Sequence, residues 1–510
     1  MKPRAARNGL QISTPVFLPA VVLIFLFVAV TLTNAEDAAE TFQTVQTAIA
    51  ENGGWFFVLT VNLILGFCFF LIFSRFGKIR IGGPNALPDF SRWAWFSMLY
   101  SAGMGIGLVF FAVAEPIMHY TAPPIEPFGP TEKWERAQEA MGLTFLHWGL
   151  HPWAIYALLG LALAYAGFNK GLPLSIRSVF YPILGQRIYG PIGHGIDVLA
   201  TVATLFGVAT SLGFGVSQIN AGLSVTLGIE SSLTAQLWLI AFITLLATGS
   251  VVSGLDHGIK RLSELNIILA GALMLFVLFA GPTLFIFNGF AQNIGYYLQN
   301  FPRLATWGET YTGTHWQNNW TVFYYAWWIA WSPFVGMFIA RISKGRTIRE
   351  FVLAVLIVPS LVGFLWLTVF GNGALAVELY GQGGIAAAVK ESVPQALFTF
   401  LDSIPFAGLT ALVATFVVVT FFVTSSDSGS LVIDIITAGG ALNPPVAQRI
   451  FWALTEGIVA AVLLIGGGLA ALQTAAITTG FPFAFILLLT AYSLYKALKE
   501  DLPNAASAGS

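Results

Sequence analysis

Long apolar segments fill most of the chain, and short polar stretches separate them. About 20 apolar residues in an α-helix span the hydrocarbon core of a bilayer, so the pattern predicts membrane-spanning helices. Twelve segments have this character and lie near residues 15–33, 55–74, 94–119, 141–167, 196–229, 234–254, 263–289, 320–343, 351–371, 404–438, 448–470 and 472–497. We therefore predict an all-α polytopic membrane protein with 12 transmembrane helices, and a surface helix within 290–319.

The third predicted span contains the glycine-rich run Gly103-Met104-Gly105-Ile106-Gly107. Glycine inside a helix costs about 1 kcal/mol relative to alanine, so this run weakens the helix locally. One interpretation is close helix packing, which the four-residue spacing of Gly103 and Gly107 suits. The other is an unwound segment whose backbone groups face a cavity and bind an ion or an anionic group. The sequence leaves both interpretations open.

The tenth predicted span carries a polar run over residues 424–430 inside an otherwise apolar segment. Hydroxyls in helices often bond only to their own backbone, but an ionisable residue at membrane depth is a functional candidate. We expect Asp427 to pair with a basic residue or to cap a helix break. Thr424 and Ser425 offer oxygen ligands of the type that a hard cation prefers. The broken third span and the hydroxyl-rich tenth span together predict a sodium site.

Two of the predicted spans each carry an aromatic face. The six residues are Trp148, Trp153, Tyr156, Trp327, Trp328 and Trp331. At about 100° per residue, the first three fall within roughly 140° of helix circumference and the last three within about 100°. Trp and Tyr usually mark the membrane–water interface, and Trp93, Trp316 and Trp320 suit that interpretation. Two aromatic faces that converge would instead form a cage for a quaternary ammonium group.

Composition and charge agree with a membrane protein. The chain is 56% hydrophobic and 9% charged, with a mean hydropathy of +0.78, which excludes a soluble globular protein. A net charge of −1 gives no reason to expect a nucleic-acid partner, and the single cysteine, Cys68, excludes an internal disulfide.

The positive charges predict the orientation. Of the 23 Lys and Arg residues, 19 fall on one side of the predicted membrane. The four on the opposite side are Lys133, Arg136, Arg303 and Lys390. By the positive-inside rule both termini are cytoplasmic, in a multi-pass protein of the cell (inner or plasma) membrane. The basic start of the first span faintly resembles a signal peptide, but its length favours a retained helix.

Spans three to seven and eight to twelve form two groups of five. An odd number of helices per repeat reverses its topology, so the count suits an inverted repeat with a binding site near the midplane. We divide the chain into a short cytoplasmic N-terminus, two extra helices with their loop, a first repeat with its outer surface helix, a second repeat and a short cytoplasmic C-terminus. These cover residues 1–14, 15–93, 94–319, 320–497 and 498–510.

Two other classes of protein compete with a carrier. A membrane enzyme would need a metal centre, and His147 and His151 are four residues apart on a predicted helix. The other four histidines are scattered singly along the chain, so we predict that the protein is not an enzyme. A channel is the second rival, because aromatic constrictions also occur in pores.

From about residue 80 to 495 the chain resembles the betaine/choline/carnitine transporter (BCCT) family. Five groups of residues carry the resemblance: Gly103 to Gly107, Ala114-Glu115-Pro116, His147-Trp148-Gly149 through Trp153 and Tyr156, Gly254 to Ser263, and Trp327 through Gly336 running into Arg341 and Gly345 to Glu350. The resemblance implies a LeuT-like fold of two five-helix inverted repeats after two extra helices. It also implies a homotrimer that moves trimethylammonium or dimethylsulfonium compounds across the bilayer by alternating access.

The resemblance also implies a substrate site. By similarity, an aromatic box around the onium group is formed by Trp148, Trp153, Tyr156 and Trp328. Trp331 would contact the substrate near its carboxylate, Trp327 would lie along the pathway, and the backbone at Gly105 and Gly107 would offer N–H groups. Some choline carriers of the family have aspartate where this chain has Gly107, which favours a zwitterion of the glycine betaine or dimethylsulfoniopropionate class.

Sodium is the coupling ion that the resemblance implies, and no other cofactor is expected. The matching ligands are Ser101, Met104 and Phe421 through backbone carbonyls, and Thr424 and Ser425 through hydroxyls. A second sodium site would use Tyr156, Thr204, Ser211 and Phe334. Val208 replaces a threonine expected at that second site. The alternative is transport of choline or carnitine by proton coupling or by sodium-independent exchange.

Overall fold

The computed structural model describes residues 10–103, 105–124, 132–253 and 260–506. Within these ranges every regular element is a helix, apart from one β-bridge between Arg80 and Thr347. Ten helical segments of the described chain are long and apolar enough to cross a membrane. The prediction of an all-helical polytopic membrane protein is therefore confirmed.

The helices follow one another with short connections. The first ten are α1 (Thr14–Thr33), α2 (Ala35–Phe73), α3 (Arg92–Gly103), α4 (Ile106–Thr121), α5 (Lys133–Trp148), α6 (Leu150–Ala164), α7 (Tyr181–Leu184), α8 (Pro191–Leu227), α9 (Leu233–Ser253) and α10 (Lys260–Ala280). The others are α11 (Thr283–Ala305), α12 (Trp316–Asn319), α13 (Thr321–Ile342), α14 (Ile348–Leu367), α15 (Gly373–Tyr380), α16 (Ile385–Glu391), α17 (Ala396–Asp402), α18 (Ala407–Thr437) and α19 (Val446–Ala506).

The third predicted span is two helices rather than one. α3 ends at Gly103 and α4 begins at Ile106. Between them Gly105 has extended backbone, with φ −158° and ψ 177°. At 12 and 16 residues, each half is shorter than the roughly 20 residues that a bilayer needs. An interrupted helix is confirmed, and packing alone is the wrong interpretation of the glycines.

Several boundaries differ from the sequence prediction, among them a division of the fourth predicted span, 141–167, at Gly149 between α5 and α6. The seventh predicted span, 263–289, ends early, because α10 stops at Ala280 and α11 starts at Thr283. Pro282 between them lacks a backbone N–H and cannot continue a helix. The predicted surface helix accordingly begins before residue 290. The second predicted span also starts too late, since α2 extends back to Ala35.

The last two predicted spans form the single element α19, which bends at a glycine pair. Gly467 and Gly468 have non-helical backbone, and the φ of Gly468 is +61°. That left-handed conformation is one that glycine adopts without steric cost. The bend lies next to the predicted boundary between residues 470 and 472.

α13 packs against α6, α8 and α18, and α4 packs against α8. α8 packs along both α18 and α19. A π-helical turn extends α6 over Tyr165–Asn169, and another extends α14 over Thr368–Asn372. Such turns are frequent near functional sites.

Candidate functional site

A cavity between the start of α4 and helices α5, α6, α8, α13 and α14 is walled mainly by aromatic rings, and we call it the aromatic cavity. It is lined by Gly105, Gly107, Leu108, Trp148, Pro152, Trp153, Tyr156, Ser211, Trp327, Trp328, Trp331, Pro359 and Gly363. All eight residues predicted to bind substrate are among them. The structure thus brings together the eight predicted positions from three segments of the chain that are far apart in sequence.

The rings meet at steep angles around Trp328. Trp148 lies 4.9 Å from it, centroid to centroid, at an interplanar angle of 68°, and Tyr156 lies 6.5 Å away at 78°. Trp153 is in turn perpendicular to Tyr156, at 78° and 5.4 Å. Trp327 stacks on Trp328 at 13°. Rings set at right angles can present faces from several directions, as a methylated cation requires.

Hydrogen bonds fix the orientation of the indoles. Trp148 donates to Glu115 at 2.7 Å, and Trp328 donates to the carbonyl of His147 at 2.8 Å. Trp331 donates to the carbonyl of Gly207 at 2.7 Å. Because the indole N–H is a donor only, each bond determines which way its ring lies against the cavity.

The first turn of α4 approaches the rings closely because it contains glycine. A Cβ atom at Gly107 would lie 2.5 Å from Trp327 Cη2 and 3.2 Å from Trp148 Cη2. At Gly105 the nearest atom would be Trp331 Cη2, at 3.9 Å. Gly107 therefore lets α4 pack closely against Trp327 and Trp148. This role is separate from its lack of charge, which favours a zwitterionic substrate. An aspartate at this position would have to displace Trp327.

A second cavity lies next to the first, and we call it the hydroxyl cavity. It is lined by Ser101, Ser263, Asn266, Ile267, Trp331, Phe334, Val335, Phe338, Phe421, Thr424, Ser425 and Ser428. Four of the five predicted sodium ligands are among them, and the fifth, Met104, lies outside the described residues. Thr424 donates its hydroxyl proton to the carbonyls of Thr420 and Phe421, and its oxygen can also accept or ligate. Trp331 lines both cavities.

The residues of the predicted second sodium site are not brought together in one cavity. Tyr156 and Ser211 line the aromatic cavity, whereas Phe334 lines the hydroxyl cavity. Thr204 is fully buried in α8 and donates to the carbonyl of Ala200 at 2.7 Å. The methyl groups of Val208 pack against Gly429 of α18.

Behind the aromatic cavity lies a buried carboxylate, Glu115, that the sequence analysis did not select as a site residue. Its oxygens accept four hydrogen bonds, from Trp148 Nε1 at 2.7 Å, the Tyr324 hydroxyl at 2.6 Å, His147 Nδ1 at 2.7 Å and His119 Nε2 at 3.2 Å. The sequence signal was present, because an acidic residue within an apolar span is a functional candidate by default.

The side chains of Glu115, His119 and His147 are close enough together to hold a metal ion, with ligand atoms within 4.8 Å of one another. The carboxylate is already satisfied by four donors, and the second nitrogen of His147 is 3.0 Å from the Thr321 hydroxyl. We therefore interpret the group as a hydrogen-bond network. His151 bonds Asn62 at 3.3 Å instead, so His147 and His151 do not share a centre.

Asp427 of the polar run pairs with a basic residue, as predicted. One oxygen accepts from Arg449 at 2.8 Å and the other from the Ser250 hydroxyl at 3.0 Å. α18 is continuous through the run, so the alternative of a cap on a helix break is wrong.

Comparison with known proteins identifies the family. The family model described as BCCT, betaine/carnitine/choline family transporter, matches residues 15–503. The chain belongs to the BCCT family. It is 48% identical over 507 residues to the glycine betaine/proline/choline transporter of Vibrio parahaemolyticus, covering 97% of this chain and 91% of that protein. It is 46% identical over 461 residues to the glycine betaine transporter of Bacillus subtilis, covering 90% and 89%.

BCCT membership decides whether the protein is a transporter or a membrane enzyme. The family and these relatives are transporters, so the protein is a membrane transporter and not an enzyme. The aromatic cavity of this BCCT member lies between helices, away from the surface positions typical of interface aromatics. Trp93, by contrast, is 83% exposed, whereas Trp316 is buried and stacks against His147.

Proposed function

We propose that this transporter imports a zwitterionic onium compound of the glycine betaine or dimethylsulfoniopropionate class by sodium symport, with alternating access to the aromatic cavity. The observation that carries the proposal is the chemistry of that cavity: six aromatic residues line it, and none of the described lining residues is charged. Cation–π contacts bind an onium group without a countercharge, at about 2 kcal/mol for a desolvated contact.

In this proposal Trp148, Trp153, Tyr156 and Trp328 form the box around the onium group. The carboxylate of the substrate would face the interruption between α3 and α4, where Gly105 and Gly107 line the cavity. The free N–H groups at a helix N-terminus favour an anionic group. Trp331 would contact the substrate near its carboxylate. Glycine betaine occurs in the names of both relatives and supports this substrate class, although the name of the Vibrio protein also includes proline and choline.

Sodium would bind at the hydroxyl cavity. The proposed ligands are Ser101, Met104, Phe421, Thr424 and Ser425, of which all but Met104 line that cavity. Hydroxyl and carbonyl oxygens suit a hard cation. A second sodium ion would bind at Tyr156, Thr204, Ser211 and Phe334, and its binding would require these residues to converge.

The proposed architecture has 12 spans in a LeuT-like inverted repeat. The ten candidate spans do not include α3 and α4. Adding that interrupted pair as one span, and dividing α19 into two at Gly467 and Gly468, gives 12. One π-helical turn ends span four and another lies within span nine, and these two spans correspond to each other in two repeats of five. We also propose a homotrimer with both termini cytoplasmic.

The test is substrate binding by the purified protein, followed through tryptophan fluorescence. Glycine betaine, dimethylsulfoniopropionate, choline and carnitine are titrated separately in sodium chloride and in potassium chloride. We expect a zwitterion to bind in sodium and choline to bind weakly. Equal binding in potassium would contradict sodium symport and favour exchange or proton coupling, and a preference for choline would contradict the role of Gly107. Trans-stimulated uptake in proteoliposomes separates a carrier from a channel.

A further inference from the structure

The Glu115 network carries a negative charge immediately behind the aromatic cavity. Glu115 is fully buried, and its oxygens accept from four donors. Four accepted hydrogen bonds indicate an ionised carboxylate, because the protonated form would itself donate one hydrogen bond.

The histidines of the network leave this charge uncompensated. The other nitrogen of His147, Nε2, can accept from the Thr321 hydroxyl at 3.0 Å. This direction of the bond, which the proposal uses, makes His147 the neutral tautomer. The same bonding makes Nε2 the donor of His119, whose Nδ1 is buried and has no partner. Among the described residues, no Lys or Arg forms an ion pair with Glu115.

Trp148 connects this charge to the cavity. Its indole N–H donates to Glu115, while its ring lines the cavity and meets Trp328 at 4.9 Å. A hydrogen bond from the indole to a carboxylate increases electron density in the ring, and ring density is what attracts an onium group.

We propose that Glu115 is the indirect countercharge of the onium site: acting through Trp148, it makes the cage select a cationic headgroup over a neutral one of the same shape. This inference rests on the proposed function. Glu115 is not among the residues that line the aromatic cavity, so it is a positioning and specificity-determining residue, distinct from the rings of the box.

The test compares glycine betaine with 3,3-dimethylbutyrate, in which a neutral tert-butyl group replaces the trimethylammonium group and the carboxylate is retained. Binding to wild type and Glu115→Gln is measured at saturating sodium chloride by competition with radiolabelled glycine betaine. We expect Glu115→Gln to weaken glycine betaine binding on the order of tenfold, the effect of one charge acting across an indole ring at an effective dielectric constant of about 20. Binding of 3,3-dimethylbutyrate should stay unchanged or become tighter.

Thr321→Val is the matched control, because it removes a hydroxyl from the network while leaving the charge of Glu115 and all four of its donors. We expect a much smaller loss of glycine betaine binding in this variant than in Glu115→Gln, with thermal unfolding measured for both. Equal losses in the two variants, a parallel loss of both ligands, or no loss in Glu115→Gln would each overturn the proposal. Wild-type protein that fails to prefer glycine betaine would contradict the proposed function itself.

Discussion

The aromatic and hydroxyl cavities are neighbours, and they are built in different ways. In the aromatic cavity each of three indoles is fixed by a hydrogen bond to another helix or loop, as Trp148 is by Glu115. In the hydroxyl cavity Thr424 bonds to the backbone of its own helix. The indoles of the first cavity are therefore held by bonds between helices, whereas the bonds of Thr424 stay within α18. Changes at these indoles should spread to other rings, and a change at Thr424 should stay local.

The largest effect should come from Gly107→Ala. The new methyl group would lie 2.5 Å from Trp327, so the ring must move, and overpacking of this kind costs about 1–3 kcal/mol. We expect glycine betaine affinity to fall roughly 5- to 150-fold, measured by equilibrium binding. Gly105→Ala is the matched control, since its methyl group meets only Trp331, at 3.9 Å. Similar losses in both variants would show that the cage is less tightly assembled than the structure indicates.

A smaller effect is expected from Trp328→Leu, which removes the ring at the centre of the cage. Loss of a desolvated cation–π contact is worth about 1–2 kcal/mol, or roughly 5- to 30-fold in glycine betaine affinity. Isothermal titration calorimetry in sodium chloride measures this change independently of fluorescence. The exposed Trp93→Leu controls for the general loss of a tryptophan. An unchanged affinity in Trp328→Leu would remove this residue from the onium site.

Thr424→Ala tests whether the hydroxyl cavity is local. Loss of one oxygen ligand should raise the sodium concentration needed for half-maximal betaine binding roughly fivefold, corresponding to about 1 kcal/mol. Betaine affinity at saturating sodium should change little. Thr410→Ala is the matched control for Thr424→Ala. Like the hydroxyl of Thr424, the hydroxyl of Thr410 bonds to its own helix, at the carbonyls of Phe406 and Ala407. If sodium dependence is the same in both variants, Thr424 is not a ligand.

The smallest effect is expected from Trp331→Phe, at the wall that the two cavities share. This change removes the hydrogen bond to the Gly207 carbonyl, which Trp327 also approaches at 3.4 Å. We expect a roughly twofold to threefold loss, about 0.5 kcal/mol, in both betaine and sodium affinity. The measurement is betaine binding over a series of sodium concentrations. An effect on betaine alone would mean that the two cavities are independent.

Much of the site could be predicted from the sequence, because helical periodicity and family motifs identify side chains one segment at a time. The six aromatic residues and the two glycines line one cavity as predicted. The sequence could not show that Gly107 touches Trp327, because that contact depends on how closely α4 approaches α13. Nor could it show the partners of Glu115, which are separated by up to 209 residues along the chain.

The fold shows the same limit. Apolar segments located most spans, but the division of 263–289 at Pro282 and the early start of α2 depend on local backbone chemistry and packing. The second sodium site stays a prediction. Of its four residues, Tyr156 and Ser211 line the aromatic cavity and Phe334 lines the hydroxyl cavity, because a match in sequence does not fix the relative positions of helices.

The interruption between α3 and α4 contributes to both cavities. Ser101, on one side of it, lines the hydroxyl cavity, and Gly105, on the other, lines the aromatic cavity. If sodium and betaine bind at these two cavities as proposed, thermodynamic linkage makes any coupling between them reciprocal. The factor by which sodium would tighten betaine binding must then equal the factor by which betaine would tighten sodium binding.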